Sequence, residues 1–130
     1  MKKFFWLWIP VLLYVWFIFW LSSASRIPPP GLRWHGADKL FHTVEYGILG
    51  SLVIRAFVWS WIVVARGRLR LAAIAAALVI GALDEYYQSF TPMRISSVWD
   101  WLFDGLGAFL GLALYEWIAL RSYRKDKHIY

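Results

Sequence analysis

Apolar residues along this chain gather into four long blocks, at 4–21, 40–64, 71–90 and 99–120, separated by short polar segments. At about 1.5 Å per residue, roughly 20 apolar residues cross the ~30 Å hydrocarbon core of a bilayer as a helix. The pattern therefore predicts an all-α fold, an integral membrane four-helix bundle forming a single domain over 1–130. The first block is uncharged and close to the shortest length that spans. It contains Pro10, which membrane helices tolerate. Small residues follow it at Ser22, Ser23 and Ala24, as at a signal-peptide cleavage site. Its length and its four tryptophans, Trp6, Trp8, Trp16 and Trp20, point instead to a retained span.

The connections carry the punctuation. Segment 22–39 holds Pro28, Pro29, Pro30 and Gly31 and cannot be helical through the prolines. Segment 65–70 reads as a short basic loop, 91–98 as a turn containing Pro92, and 121–130 as a basic tail. Four spans place the N-terminus, the 65–70 segment and the tail on one side, with nine Lys and Arg residues. The other side has four, Arg26, Arg33, Lys39 and Arg94. The positive-inside rule then predicts that both termini are cytoplasmic. Aromatic residues at both ends of the blocks, among them Trp59, Trp61 and Trp117 inside and Tyr86, Tyr87, Trp99 and Trp101 outside, fit interfacial belts. Arg55, past the middle of the second block, is expected to snorkel to the inner interface.

Composition narrows the function. Of 130 residues, 61% are hydrophobic and only 17% charged, against the usual quarter. There is no cysteine, which excludes disulfides, thiolate catalysis and Cys-ligated metals. The net charge of +6 comes in short clusters between apolar blocks, with no extended basic face to track phosphates, so no nucleic-acid partner is expected.

The chemistry lies in the acids. Of eight acidic residues, six fall toward the outer ends of the second, third and fourth blocks: Asp38, Glu45, Asp84, Glu85, Asp100 and Asp104. His42, Glu45 and Tyr46 share a helix face at i, i+3 and i+4. Asp84 and Gln88 share another at i, i+4, and Asp100, Asp104, Gly107 and Gly111 follow one stripe. A charge near mid-membrane costs roughly 2.5–3.5 kcal/mol. These groups must therefore turn inward and be met by cations, protons or hydrogen bonds. An interhelical hydrogen bond in a membrane contributes only about 0.6 kcal/mol on average, so helix packing alone is a weak reason for six carboxylates. The expectation is a polar pocket opening outward, with Arg94 in the turn as its counter-ion or anion contact. Acid/base chemistry by paired carboxylates and His42 is permitted. No cofactor is expected, although these residue types would suit a divalent metal; no His-Glu-x-x-His motif is present. The pairs Gly107/Gly111 and Gly47/Ser51 have the spacing of close helix approach or of chance.

The run Asp38-Lys39-x-x-His42-x-x-Glu45-Tyr46, then Asp84-Glu85-x-x-Gln88-x-Phe90, Arg94, Asp100, Gly107 and Gly111, resembles the VanZ-like family over most of the chain. The family pattern has Asn at the place of Asp104 and Pro-Gly-Arg at the place of Pro92-Met93-Arg94. The resemblance implies a small multi-pass protein of the bacterial plasma membrane and cell envelope. It also implies a link to susceptibility to glycopeptides such as teicoplanin. Two functions are open at this point. One is a binding pocket, formed by Asp38, Lys39, Tyr46, Gln88, Arg94, Asp100 and Asp104, for a lipid headgroup, an envelope precursor or a glycopeptide. The other is a membrane enzyme in which His42, Glu45, Asp84 and Glu85 carry out acid/base or metal-assisted modification of an envelope molecule. The oligomeric state is open.

Overall fold

The computed structural model describes residues 2–24, 37–61, 64–92 and 94–127, with backbone alone at 120 and 122–127. The proline segment, with Arg26, Arg33 and His35, lies outside the described residues. Four helices and no strand are found among them: α1 (Lys2–Ser23), α2 (Ala37–Ser60), α3 (Arg66–Gln88) and α4 (Val98–Lys127). Three helices, Lys2–Ser23, Ala37–Ser60 and Val98–Ala119, are long and apolar enough to cross a membrane. In α3 the uncharged run is shorter, 71–83, bounded by Arg70 and Asp84.

Two boundaries differ from the sequence reading. Segment 65–70 is not a loop, because α3 begins at Arg66. Arginine is a good helix former, and Arg70 has a partner that holds this end. Its Nε and Nη2 donate to the two carboxylate oxygens of Glu116, each at 2.9 Å, a two-pronged grip between α3 and α4. The basic tail is likewise helical as far as Lys127, an extension of α4. Pro10 sits inside α1, whose helix continues through it.

The helices alternate in direction. The start of α1 meets the end of α2, where Trp8 Nε1 donates to Ser60 Oγ at 3.0 Å and the rings of Trp8, Phe57 and Trp61 meet edge to face. α1 packs on α2 and α3, and α4 packs on the same two helices from the other side. Most of α1 faces outward, with Trp6, Leu12, Leu13, Trp16 and Trp20 all more than half exposed. Bands of apolar exposure this wide are what a bilayer covers.

The tightest seam lies between α2 and α4. A Cβ built on Gly111 would sit 2.6 Å from the Gly47 carbonyl carbon, and one on Gly107 would sit 2.9 Å from that of Thr43. Gly50 faces Ala108 in the same way. Ser51 Oγ crosses the seam and donates to the Gly111 carbonyl at 2.8 Å. The small-residue spacing is thus a packing device, which matters because lipid offers helices little hydrophobic reason to associate. Arg55 is partly buried. Its Nε and Nη2 are buried and hydrogen-bond to nothing among the described residues.

Candidate functional site

The alternating directions bring the end of α1, the start of α2, the end of α3 and the start of α4 to one end of the bundle. The acids predicted from sequence meet there. α2 contributes His42, which shares its buried face with the residues at i+4 and i+7 from it, Tyr46 and Leu49, both fully enclosed. α3 contributes Asp84, Glu85 and Gln88, all buried, and α4 contributes Asp100 and Asp104, also buried. The close α2–α4 seam sets the distance between their side chains: His42 Nδ1 donates to Asp104 Oδ1 at 2.8 Å. Asp104 is 0% exposed, and its second oxygen rests against Gly81, where a Cβ would come within 2.9 Å of it.

A second chain of bonds runs from α3 to α1. Gln88 Nε2 donates to Asp84 Oδ2 at 2.8 Å and to Ser22 Oγ at 3.2 Å. Arg94 Nη2 donates to the Leu21 carbonyl at 3.1 Å, and its Nη1 lies 3.5 Å from Gln88 Oε1. Arg94 therefore reaches Asp84 through the Gln88 amide, and it ties the end of α1 to the turn after α3. Glu85 Oε2 accepts from the Ser97 backbone N–H at 2.7 Å, which fixes the start of α4. Lys39 Nζ stands 3.6 Å from Asp100 Oδ1.

The remaining candidates lie around this core. Asp38 is exposed at the start of α2, and Glu45 is half-buried on the face of α2 toward α1, where Tyr14 donates to its backbone carbonyl at 3.1 Å. Tyr46 is 0% exposed. A small cleft, open at one side, is lined by Leu21, Ser22, Asp38, Phe41, His42, Glu45, Gln88 and Arg94. Asp84, Glu85, Asp100 and Asp104 lie behind it and not on its wall. His42 belongs to both groups, with the cavity on one side and Asp104 on the other.

Sequence reasoning built this site from three helices and missed α1. Ser22 and the Leu21 carbonyl are functional in position, since they receive the Gln88 and Arg94 bonds. The available signal was a polar Ser22-Ser23 pair closing an uncharged span; it reads equally well as a helix end or a cleavage site, and a backbone carbonyl has no sequence signature.

In chemical terms the end of the bundle offers a cation-bearing edge (Lys39, Arg94), a carboxylate-rich interior and one imidazole held by a carboxylate. The buried carboxylates outnumber the cations that touch them, and several oxygens, Asp84 Oδ1, Glu85 Oε1 and Asp104 Oδ2, have no hydrogen-bond partner among the described residues. Buried acceptors are normally satisfied, which sets these oxygens apart from the rest of the interior.

No curated protein and no solved structure matches the chain. A protein family does: the chain matches VanZ/LLP1 over residues 4–119, a stretch that takes in the first three apolar blocks, nearly all of the fourth and every residue of the site. This chain is a member of the VanZ/LLP1 family, a helical protein with membrane-spanning segments.

Proposed function

We propose that the protein binds the polar headgroup of a membrane lipid or lipid-linked envelope precursor at the outer face of the bacterial plasma membrane. The observation that carries this reading is the wall of the cavity. It sets Arg94 against Asp38, Glu45 and His42, with the apolar side chains of Leu21 and Phe41 at its rim. Such a wall suits an amphiphile carrying both an anionic and a cationic or hydroxyl group. Arg94 takes the anion, the carboxylates take the donor, and the acyl chain runs out along the exposed face of Phe41. The site then lies at headgroup depth, because all its helix ends are at one end of the bundle. A changed response to glycopeptides would be a downstream effect of holding an envelope precursor.

One observation favours a catalytic reading as the alternative. The His42–Asp104 bond fixes the imidazole, as a general base requires, and His42 also lines the cavity. Mass-spectrometric profiling of lipids and wall precursors separates the two. A deletion strain, its complemented parent and a His42→Asn strain are compared. Binding without turnover leaves the products of the three strains alike. A product lost on deletion, restored by wild type and absent with His42→Asn makes the protein an enzyme.

This reading requires the cavity to face outward with both termini inside, as the nine-to-four distribution of basic residues implies. Reporter fusions at Tyr130 and within 66–70 are expected to give cytoplasmic signals. A periplasmic signal at either place would put the cavity on the wrong side.

A further inference from the structure

The unpartnered oxygens do not line the cavity. Ligand atoms of His42, Glu85 and Asp104 all lie within 4.8 Å of one another, and all three residues are buried. Within that group, Glu85 Oε1 and Asp104 Oδ2 lack hydrogen-bond partners, on side chains that are 6% and 0% exposed. A different residue type points the same way. The Tyr46 hydroxyl, one turn beyond His42 on α2, is fully enclosed, has no hydrogen-bond partner among the described residues and is within electrostatic reach of Asp84, Asp104 and Glu85.

Oxygen acceptors from three helices thus meet around one imidazole with few donors. A hydrogen-bond network would have to supply protons to Asp84 Oδ1, Glu85 Oε1 and Asp104 Oδ2; Gln88 Nε2, the Ser97 N–H and His42 Nδ1 are directed at other oxygens, and the Ser22 and Ser96 hydroxyls, which lie by Asp84 and Glu85, do not meet these atoms. A cation meets them without further donors and offsets the excess negative charge, which a low-dielectric interior otherwise makes costly. We propose that His42, Glu85 and Asp104 form a buried binding site for a divalent transition-metal ion. One imidazole nitrogen with carboxylate oxygens and no thiolate favours zinc or manganese over copper(I). Three protein ligands would leave a coordination position open. Binding through Nδ1 requires His42 to give up the proton it shares with Asp104, so uptake of the ion in that way releases a proton. The site does not depend on the headgroup reading, since it uses none of the cavity wall except His42.

The test uses the full chain in detergent, stripped with chelator and dialysed against ZnCl2 or MnCl2, with bound metal counted by plasma mass spectrometry. Wild type is expected to retain one ion per chain and to melt at a higher temperature with it. Glu85→Gln and Asp104→Asn should each weaken binding by at least about tenfold, since even loss of an outer partner of a ligand costs 10–100-fold. Their helical circular dichroism and single elution peak should persist. Glu116→Gln, a carboxylate change at the opposite end of the bundle, should bind as wild type does. Failure of wild type to hold either metal at a fixed ratio overturns the proposal, as does undiminished binding by Glu85→Gln. Loss of the ion in Asp100→Asn with retention in Glu85→Gln overturns this site too, and moves the ion to Asp38, His42 and Asp100, whose ligand atoms also lie within 4.8 Å of one another.

Discussion

Gly111→Leu yields no folded bundle, and Gly111→Ala lowers the midpoint of thermal unfolding in detergent by far more than Gly67→Ala does. The two glycines differ only in surroundings. A Cβ on Gly111 runs into the Gly47 backbone, which cannot rotate away as a side chain would. α2 and α4 must then separate, and the Ser51 bond to the Gly111 carbonyl is lost as they do. Overpacking of this kind costs about 1–3 kcal/mol for a methyl group, with more for a larger one. Gly67, in the first turn of α3, has nothing within 4 Å of the same atom. Alanine there is neutral or gains a few tenths of a kcal/mol from helix propensity. Equal stability of the two alanine variants would contradict the close α2–α4 seam, and with it the position of His42 against Asp104.

Arg94→Ala is the second large effect, and it is expected to exceed that of Asp104→Asn when both are measured with chelator present. Removing the guanidinium leaves the Leu21 carbonyl without a donor and takes the nearest cation away from the Gln88–Asp84 pair. Hydrogen bonds to charged groups are worth about 1.5–3 kcal/mol, and the loss frees the end of α1 from the turn before α4. Asp104→Asn instead keeps a carbonyl oxygen to accept from His42 Nδ1. It places an amide among unpartnered oxygens and removes one negative charge from an interior with too many. Its expected cost is under about 1 kcal/mol. Thermal unfolding of the two variants decides between them. A greater loss with Asp104→Asn, with chelator present, would mean that the interior is not overloaded with acid as described.

Much of this arrangement could be read from spacing alone. Four apolar blocks gave four helices, because in lipid a long uncharged run has no other way to satisfy its backbone. The acids were placed at one end because helix directions alternate, and once that is drawn Asp84, Asp100 and Asp104 have nowhere else to be. Two kinds of feature were hidden. Helix ends at Arg66 and Lys127 lie in charged stretches that read equally well as loops, and the pair that joins α3 to α4 there, Arg70 with Glu116, is one no local window contains. The division of the acids into a cavity wall (Asp38, Glu45) and an enclosed group (Asp84, Glu85, Asp104) depends on the rotation of each helix about its axis. Hydrophobic pattern sets that rotation poorly when apolar residues cover every face.

The central claim is that the cavity lined by Asp38, Glu45 and Arg94 holds an amphiphile by its headgroup. Native mass spectrometry of the intact chain, released from detergent after incubation with phosphatidylethanolamine or phosphatidylglycerol, tests it most directly. Wild type is expected to carry one lipid per chain through collisional activation that strips annular lipid. Asp38→Asn combined with Glu45→Gln, which alters the wall and leaves the buried His42–Asp104 pair in place, is expected to lose it. Retention of the adduct by that variant, or a wild-type spectrum showing only the broad lipid distribution of a nonspecific surface, would contradict the account.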